Sequence, residues 1–559
     1  MSENSWRRRL SRRRFLKVAA SAVAVGGVAF LRPGQPAPRA AGRTPISGVL
    51  AEDIVHGPRE LARGEMQGLA PSGLRAATLE SSSPGGVYTS PVVRTSFPFT
   101  HVGLHWRART LAASEVHFEA RTSVDGRGWS PWWAVEIEAE PGQAARGETY
   151  GSLVTEDRGR FFQYRVSFPH EAAAPLPLEY VVATALQASP ARNDAHLHSS
   201  SLQHAASPAG LPFAREQFLR REDWGAEEGF RFRSSGAEIS PRMYVPVKKI
   251  VVHHTATLGN LDPKEPSYPN PNYSREQAEA DMLAIYYYHA VTLGWGDIGY
   301  NALIDRFGRV FEGRYGRDTS RWREVLSPGV VAGHVAYFNH GSAGVAVIGN
   351  FDVNELGTTE TKNMVPALLD YLAWDAGRHG VSPTSASDFL RVDMEWRPGL
   401  PNISGHRDCG RTACPGRYIY KQLPAWRQEL LQRFPAKQVA LRVDLAGPDG
   451  VTIPGNLASF SWEARTAQKF SYYLEGWTAD ENLRDVFYIQ GFTQDKRPDW
   501  SSYEEVTAAS FGSLKEGRYT FHVRARDALG REGAFEANRT FIVGPGSGYT
   551  IGVPGLVKS

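Results

Sequence analysis

Residues 404–416 read Ser-Gly-His-Arg-Asp-Cys-Gly-Arg-Thr-Ala-Cys-Pro-Gly, and residues 250–255 read Ile-Val-Val-His-His-Thr. The earlier stretch is an apolar strand pattern ending in histidine, and the later one carries His406 with Cys414 eight residues after it. Together with His253, these side chains supply three ligands of the types that zinc prefers, and a fourth position stays open for water, as in catalytic zinc sites. The two stretches therefore predict a metal site.

Two other arrangements of the same residues remain open on spacing alone. His254 could complete the four ligands of a structural zinc site, or Cys409 could form a disulfide with Cys414 and leave no metal site. A zinc ion with an open position lowers the pKa of its bound water to about 7 and polarises a carbonyl group. The catalytic interpretation therefore predicts hydrolysis of an amide or an ester.

A chain of 559 residues predicts about three domains. Its N-terminus has the pattern of an export signal. Ser-Arg-Arg-Arg-Phe-Leu-Lys at 11–17 precedes an apolar run from 18 to 31. This pattern is similar to twin-arginine signals, which implies the twin-arginine export machinery as a partner and an extracellular or cell-envelope location. The run is shorter than the roughly 20 residues of a membrane span, so no stable span is expected once 1–41 is removed. An uncleaved N-terminal anchor is the alternative.

The positive net charge belongs to this N-terminal segment. Residues 1–41 hold nine Lys or Arg and one Glu, so the total of +4 becomes −4 without them. Such a charge gives no argument for nucleic-acid binding, which needs a basic patch on a folded domain. The chain has two cysteines, Cys409 and Cys414, so the exported protein does not rely on a disulfide framework.

The N-terminal half changes pattern near residue 84. Residues 42–83 are rich in Ala, Gly, Ser and Pro and are expected to form a linker. Residues 84–188 hold short alternating stretches with turn signals between them, which predicts a β-sandwich. Its Trp129, Trp132 and Trp133 could bind carbohydrate by stacking, although aromatic packing is the plainer interpretation.

The rest of the chain divides into an α/β part and a second β part. After a linker at 189–215, residues 216–435 mix buried strand patterns with helical ones and predict an α/β domain with a central mixed sheet. Residues 438–544 alternate again, which favours an immunoglobulin-like or fibronectin type III-like sandwich. The Gly- and Pro-containing tail at 545–559 is expected to be flexible. The predicted fold class is thus multidomain, an α/β domain flanked by two β-sandwiches.

The middle domain resembles the peptidoglycan recognition proteins and the related bacteriophage type-2 N-acetylmuramoyl-L-alanine amidases. The resemblance runs through nearly all of 221–432. Besides the two stretches quoted above, it rests on Asp-Trp-Gly-Ala at 223–226, Gly-Trp-Gly-Asp-Ile-Gly-Tyr-Asn at 294–301, Gly-Arg-Val-Phe-Glu-Gly-Arg at 308–314, Gly-His at 333–334 and the stretch 339–351. It implies a zinc-dependent amidase that cleaves the bond between N-acetylmuramic acid and L-alanine of peptidoglycan.

The resemblance implies a catalytic role for five residues. His253, His406 and Cys414 match the zinc ligands, and non-catalytic recognition members typically lack the cysteine. Tyr300 matches the tyrosine that hydrogen-bonds the zinc-bound water or the developing oxyanion. Thr412 stands where phage enzymes carry lysine and is expected to be a second donor. The implied reaction is attack of water on the lactyl carbonyl, followed by loss of the L-alanine amine.

The resemblance also implies a groove that binds muropeptides. The matching substrate-binding positions are His254, Thr255, Gly294, Trp295, Arg314, His334 and Asn339. Arg314 with the preceding Gly-Trp pair is similar to members that prefer diaminopimelate-type stems, where the planar guanidinium pairs with the extra carboxylate. His254 is expected to pack beside the site or to contact substrate. A structural role for His334 and Asn339 is the close alternative.

Two features depart from the family pattern. The connection at 315–331 is longer than usual, and Cys409 is an extra thiol beside the site. The competing class of protein is a non-catalytic peptidoglycan-binding sensor or scaffold. The complete ligand set with Tyr300 favours the enzyme, because binding alone needs no open metal position. A phage-type lysis enzyme is disfavoured by the export signal.

Overall fold

The structure is a computed structural model of the chain. It describes residues 48–67, 69–72, 78–81, 86–108, 116–139, 148–168, 178–190, 217–257, 272–316, 326–327, 329–358, 361–391, 395–433, 443–464, 467–478, 487–488, 501–528 and 536–544. The expected export signal, almost all of the second linker, the C-terminal tail and most of the connection at 315–331 lie outside these ranges. Within them, no helix is both long and apolar enough to cross a membrane.

The N-terminal part of the chain is built almost entirely from antiparallel strands. They are β1 (Val49–His56), β2 (Glu65–Gln67), β3 (Leu69–Ser72), β4 (Thr78–Ser81), β5 (Val87–Thr89), β6 (Val93–Ala108), β7 (His117–Ser123), β8 (Trp133–Val135), β9 (Ile137–Ala139), β10 (Thr149–Ser167) and β11 (Leu178–Ala188), with a short helix α1 (Pro58–Leu61) after β1. Nine of the strands join one sheet with the path β1-β11-β6-β10-β5-β2, and β3 pairs with β4. We call this part the first β domain.

Strand β10 holds the first β domain together because it changes partners along its length. It pairs with β6 from Thr149 to Phe162, with β9 near its beginning and with β7 and β5 near its end, and the pairing with β6 shifts register at several points. Such bulges bend a strand and let it serve two parts of a sheet. The strands therefore form one connected sheet around a core that includes Trp106, Phe118 and Phe162, and the predicted two-sheet sandwich stays a prediction here.

The segment expected to be a linker contains part of this sheet. Strand β1 pairs with β11 from Val49 opposite Ala188 to His56 opposite Val181, and Leu61 of α1 is fully buried. The linker prediction therefore does not hold for 49–67. The sequence did not indicate this strand because β1 is an edge strand in which only the first and last residues are fully buried. Such a strand shows little hydrophobic alternation.

The three tryptophans of the first β domain lie beside arginine or against the core. The guanidinium carbon of Arg121 is 4.7 Å from the ring centroid of Trp129 and 4.6 Å from that of Trp132. Trp133 packs against the edge of the domain core. Cation–π contacts of this kind occupy an aromatic face, so the contacts favour the packing interpretation over carbohydrate stacking.

The middle domain combines a mixed sheet with helices. Its strands are β12 (Phe218–Leu219), β13 (Lys249–His254), β14 (Ala302–Ile304), β15 (Val310–Glu312), β16 (Ser342–Val347), β17 (Ala386–Leu390), β18 (Trp396–Pro401) and β19 (Ile403–Gly405), and its main helices are α2 (Arg275–Tyr287), α3 (Met364–His379) and α4 (Arg417–Leu430). Six strands lie in the order β12-β15-β14-β16-β13-β19, parallel except between β14 and β15. The predicted mixed sheet with helices is confirmed.

The register of this sheet brings distant parts of the sequence to one edge. Strand β13 lies between β16 and β19 and is buried along its whole length. Val252 of β13 is opposite Gly405 of β19, and the two strands run parallel. The carboxyl ends of both strands therefore meet at the same edge, so His253 and His406, each one residue further on, become neighbours.

Helix α2 ends in a turn of different geometry. The capping box between Ser274 and Gln277 begins the helix, because each side chain bonds to the backbone of the other. After Tyr287 the chain continues as a single π-helical turn, Tyr288–Thr292. Such turns are rare and often occur at functional sites. This one directs His289 toward the same edge of the sheet.

The C-terminal part forms two sheets over one core. Its strands are β20 (Asp444–Ala446), β21 (Thr452–Ile453), β22 (Ala458–Glu463), β23 (Ala467–Thr478), β24 (Phe487–Tyr488), β25 (Ala508–Phe511), β26 (Gly517–Asp527) and β27 (Ala537–Val543). The sheets have the orders β20-β22-β25 and β21-β27-β26-β23-β24. Phe460 of one sheet stacks on Phe521 of the other at 4.2 Å between ring centroids. This is the layering that a sandwich requires, while the immunoglobulin-like topology stays a prediction.

The first β domain and the middle domain share a buried core. Tyr150 and Leu153 of β10 belong to the same apolar cluster as Met282 of α2 and Tyr288 of the π-helical turn. The Tyr288 hydroxyl donates to the carbonyl oxygen of Gly151 at 2.9 Å. This shared burial stabilises the contact between the two domains by about 25 cal/mol for each Å² of apolar surface removed from water.

Candidate active site

Three metal-type ligands meet at the carboxyl edge of the mixed sheet. His253 lies at the end of β13, His406 follows β19, and Cys414 precedes α4. Their ligand atoms all lie within 4.8 Å of one another, and Nδ1 of His253 is 3.5 Å from Sγ of Cys414. A single ion between them could contact all three side chains.

A chain of hydrogen bonds fixes which nitrogen of His253 faces the cysteine. The Ser342 hydroxyl donates to the carbonyl oxygen of Phe338 at 2.6 Å, so its oxygen is left to accept from Nε2 of His334 at 3.3 Å. Nδ1 of His334 then accepts from Nε2 of His253 at 3.0 Å. The order of donors leaves a lone pair on Nδ1 of His253, next to Cys414. Partners behind a ligand histidine hold it in this way in metal sites.

Burial sets the protonation of the three ligands. It lowers the pKa of His253 well below the ordinary value, with a further contribution from the neighbouring His406. Burial also lowers the pKa of His406 to about 4 and raises the pKa of Cys414 well above its ordinary value. Both imidazoles therefore offer lone pairs at neutral pH, and the thiol needs a nearby cation to ionise. Two imidazoles with one thiolate are a donor set that suits zinc.

The ring of His254 is turned to other partners. Its Nδ1 accepts the backbone N–H of Phe351 at 3.1 Å, so its Nε2 carries the hydrogen that it donates to Glu136 at 3.1 Å. Neither nitrogen is left for a metal ion. Cys409 and Cys414 are both free thiols. The structure therefore favours neither a fourth ligand at His254 nor a disulfide.

Tyr300 and Thr412 lie in the wall of the pocket beside the ligands. The ring centroid of Tyr300 is 5.3 Å from that of His253, and its hydroxyl donates to Oε1 of Glu138 at 3.1 Å. Oγ1 of Thr412 accepts the N–H of Cys414 at 3.1 Å, a contact that does not use its own O–H. Both hydroxyl groups are thus near the three candidate metal ligands, and the hydroxyl of Tyr300 donates to a carboxylate.

Of the other groove residues, Trp295 lines the cavity beside the three candidate ligands, Thr255 lines a neighbouring cavity, and Gly294 directly precedes Trp295. Thr255 is buried and its hydroxyl lies 2.8 Å from that of Thr257. Gly294 has φ of +76°, which forms the turn after the π-helical segment and is a conformation that glycine adopts without strain. Trp295 is half-buried and its ring centroid is 4.9 Å from that of His289.

The other groove residues have partners inside the protein. Nε of Arg314 lies 4.0 Å from Oδ2 of Asp297, and both side chains are nearly buried. Oδ1 of Asn339 accepts the backbone N–H groups of His334 and Val335 at 2.9 Å each. These hydrogen bonds hold the turn between His334 and Asn339, which favours a structural role for Asn339 and for the backbone of His334. The role of Arg314 in carboxylate binding stays a prediction.

Two carboxylates from the first β domain reach into this pocket, and sequence patterns alone did not reveal them. Glu136 precedes β9 and Glu138 lies within it, so their side chains share one face of the strand. Oε1 of Glu138 is 3.1 Å from both Nε2 of His289 and the hydroxyl of Tyr300. The alternation Val-Glu-Ile-Glu-Ala-Glu at 135–140 is the available signal. It indicates a strand with an acidic face but not what that face contacts.

The space between the two domains at this point is small. The cavity beside the metal group has a volume of about 20 Å³ and is lined by Glu136 and Glu138 together with Tyr300, Thr412 and the ligands His406 and Cys414. A volume of this size holds about one water molecule. A nucleophilic water would therefore contact side chains of both domains.

Comparison with known proteins assigns the middle domain to a class. Residues 243–417 match the family described as N-acetylmuramoyl-L-alanine amidase, Amidase_2. A peptidoglycan-recognition protein of Drosophila simulans is 27% identical over 234 residues, which are 40% of this chain and 95% of the relative. Peptidoglycan recognition protein 1 of Mus musculus is 29% identical over 218 residues, 39% of this chain and 91% of the relative.

Solved structures are similar over the same share of the chain. Drosophila PGRP-LB has 20% identity and a TM-score of 0.26, covering 39% of this chain and 95% of its own. The N-acetylmuramoyl-L-alanine amidase LysC from Clostridium intestinale has 20% identity and a TM-score of 0.22, covering 34% and 89%. The resemblance inferred from the motifs is confirmed by the family match. The middle domain belongs to the peptidoglycan recognition protein and type-2 amidase family.

Proposed function

We propose that the chain is an exported, zinc-dependent N-acetylmuramoyl-L-alanine amidase. It hydrolyses the amide between N-acetylmuramic acid and L-alanine in peptidoglycan. The observation that carries the proposal is the convergence of His253, His406 and Cys414 in a domain of the amidase family. The twin-arginine-like N-terminus supports export to the cell envelope or beyond, and nothing in the charge supports a nucleic-acid partner.

The buried donor set fits a zinc ion. His253 would bind through Nδ1, since its Nε2 is engaged by His334. Cys414 is supported as a thiolate by the backbone N–H of His254, 3.4 Å from its sulfur. When bound, zinc polarises a carbonyl oxygen and acidifies water. His253 lies on a fully buried strand and His406 directly follows another strand, which keeps these two ligands rigid and suits a site that must hold its geometry during turnover.

The hydroxyl groups of the pocket would stabilise charge on the substrate. As the lactyl carbonyl oxygen becomes negative, Thr412 can donate its O–H, and Tyr300 can do so when its bond to Glu138 is released. Neither hydroxyl adds positive charge. The reaction ends when the amide C–N bond breaks and the L-alanine nitrogen leaves as an amine.

The stem preference is the finer part of the proposal. Arg314 would recognise the extra carboxylate of diaminopimelate-type stems by exchanging its contact with Asp297 for the substrate. Asp297 would keep a partner, because Nη1 of Arg221 lies 2.9 Å from its other oxygen. The groove can therefore lose the Arg314 contact without leaving a buried charge unpaired.

The test uses the full chain with diaminopimelate-type muropeptides, with and without a chelator. We expect zinc-dependent release of stem peptide with a new L-alanine amine, detected by mass. Muropeptide binding without release, in the presence of zinc, would instead assign the protein to the non-catalytic sensors or scaffolds. The readout separates the two classes because both require the groove and the enzyme alone requires turnover.

A further inference from the structure

The first β domain delivers Glu138 to the reacting end of the pocket. Nδ1 of His289 accepts the backbone N–H of Gly299 at 3.0 Å, so Nε2 carries the hydrogen and donates to Oε1 of Glu138. The hydroxyl of Tyr300 donates to the same oxygen. Both bonds end on Oε1, and neither uses Oε2. Glu138 is thus held by two donors of the middle domain with one oxygen kept for a further donor.

This position is built into the contact between the domains. Ile137 pairs with Gly151 of β10, and the carbonyl oxygen of Gly151 accepts the hydroxyl of Tyr288, the residue before His289. Glu138 and its histidine partner are therefore fixed from the same point of the shared core. A side chain held in this way is part of the site rather than a chance contact of a surface loop.

Other groups that could accept a proton in the pocket are already engaged. His334 bonds His253 and Ser342, and both ring nitrogens of His254 are in hydrogen bonds. Burial raises the pKa of Tyr300 well above its ordinary value, so its phenol keeps its proton. Among the described residues that line the cavity, the carboxylates are Glu136 and Glu138.

The two carboxylates differ in what they contact. Glu136 bonds His254, whose two ring nitrogens are both engaged, whereas Glu138 bonds Tyr300, whose ring lies beside His253. Burial opposes ionisation of Glu138, but its hydrogen bonds leave its pKa lowered, so it is a carboxylate at neutral pH. Its free oxygen is therefore available to a donor from the cavity.

We infer that Glu138 is the catalytic proton-transfer residue of the amidase, supplied to the middle domain by the first β domain. The inference rests on the proposed function. As the oxygen of water forms its bond to the lactyl carbonyl carbon, one proton of that water passes to Glu138. As the C–N bond breaks, the proton passes from Glu138 to the departing nitrogen. The products are a lactyl carboxylic acid and a free amine, and Glu138 is ionised again.

The first β domain is therefore part of the catalytic unit. The middle domain provides the metal ligands and the hydroxyl donors, and the carboxylate comes from a strand whose sequence lies more than 100 residues before His253. Movement of β9 relative to the mixed sheet would switch off proton transfer and leave the ligands in place.

The test compares the full wild-type chain with Glu138→Gln. The amide oxygen can still accept from Tyr300 and His289, but the group no longer takes up a proton. We expect unchanged zinc content and an unchanged Kd for a diaminopimelate-type muropeptide by calorimetry, with kcat lower by about 10²- to 10⁴-fold. Added formate should restore part of the activity of Glu138→Ala, because a small carboxylate can occupy the vacated position.

Glu148→Gln is the matched control. Glu148 is a buried carboxylate of the same domain that is bonded to a histidine and two tyrosines, His105, Tyr150 and Tyr180, and it does not line the catalytic cavity. We expect this variant to be less stable than the wild type with kcat unchanged. If Glu138 were only structural, Glu138→Gln would likewise lower the stability and leave kcat unchanged.

Each result decides between specific alternatives. Glu138→Gln with wild-type kcat would leave the amidase proposal standing and reject the role of Glu138. A Glu138→Ala variant faster than wild type would show that the carboxylate blocks the pocket, and lost zinc or muropeptide binding in Glu138→Gln would show a structural role; either overturns the inference. If the zinc-loaded wild type binds muropeptides without cleaving them, the proposed function itself fails.

Discussion

The imidazole of His334 lies directly behind that of His253, with 3.0 Å between Nδ1 of the one and Nε2 of the other. His334 is in turn held by Ser342. This pair orients the proposed ligand and decides which nitrogen it presents. A residue that the family resemblance assigned to the substrate groove thus has a clear physical role beside the candidate metal ligands, and that role can be measured.

Replacement of His334 should weaken metal binding without removing it. In His334→Ala, Nε2 of His253 loses its acceptor, so the ring is free to rotate and is a poorer donor. Loss of such a partner typically reduces metal affinity by about 10- to 100-fold. Competition with a chromophoric chelator measures the zinc Kd. The exposed His117 of β7 provides the control, since His117→Ala should leave the Kd unchanged. Equal zinc affinities for His334→Ala and the wild type would contradict the role.

The two cysteines should respond differently to replacement by serine. Cys414→Ser removes a proposed ligand, and we expect loss of bound zinc and of stem-peptide release. Burial raises the pKa of Cys409 to about 12, so this residue is a thiol at neutral pH and not a reactive thiolate. Cys409→Ser should keep zinc and activity, with a small loss of stability where it packs on Val251 and Leu400. Zinc content by mass spectrometry under native conditions checks both variants.

The part of the site that lies in the middle domain could be predicted from sequence because its geometry is local to one sheet. A strand ending at His254 and a second strand ending before His406 need only be parallel neighbours to bring His253 and His406 together. The order of the motifs along the chain, which is the order found in the family, indicated that these two strands pair. The same information could not reveal the hydrogen bond from His253 to His334, since a histidine at that position could equally contact substrate.

Glu136 and Glu138 could not be predicted, for a different reason. Their strand pattern was visible, but the contact depends on how two domains dock, and no local pattern encodes the surface against which a strand face will lie. The edge strand β1 was missed because few of its side chains are buried. Sequence periodicity reports burial, so it fails where a strand is held mainly by backbone hydrogen bonds.

Enlarging Gly151 should disturb the catalytic pocket from a distance. A Cβ on Gly151 would lie 2.2 Å from Cγ1 of Val135, which leads into the strand that carries Glu138. Gly151→Ala should therefore displace β9 and reduce kcat, while zinc content stays the same. Gly455→Ala is the control, because nothing lies within 4 Å of the added carbon there. If Gly151→Ala loses stability but keeps full kcat, the proposed link between β9 and catalysis is wrong.

The first β domain should contribute acid-sensitive stability through Glu148. Burial disfavours the charged form, but hydrogen bonds led by that from His105 lower the pKa of Glu148 from 4.5 to about 2. A carboxyl group whose pKa is lower in the folded state stabilises the fold at pH values above its unfolded-state pKa. This stabilisation is lost as the pH falls from 4.5 toward 2. The difference corresponds to roughly 3 kcal/mol at neutral pH. Chemical unfolding of the wild type and Glu148→Gln at about pH 7 and about pH 3 should show a gap that narrows at the lower pH; a gap independent of pH would contradict this.

Arg314 decides whether the groove distinguishes stem peptides by charge. Its guanidinium lies 4.0 Å from Asp297, near enough to be neutralised and far enough to exchange partners. Arg314→Val should reduce the preference for diaminopimelate-type over lysine-type muropeptides by about 10- to 100-fold in kcat/KM, the value of one charged hydrogen bond. Asp297 keeps its ion pair with Arg221, so the fold should tolerate the replacement of Arg314. Arg314→Lys retains the charge without the planar fork and should give an intermediate preference. If both variants discriminate as the wild type does, stem recognition lies elsewhere in the groove, and the contact between Arg314 and Asp297 is structural.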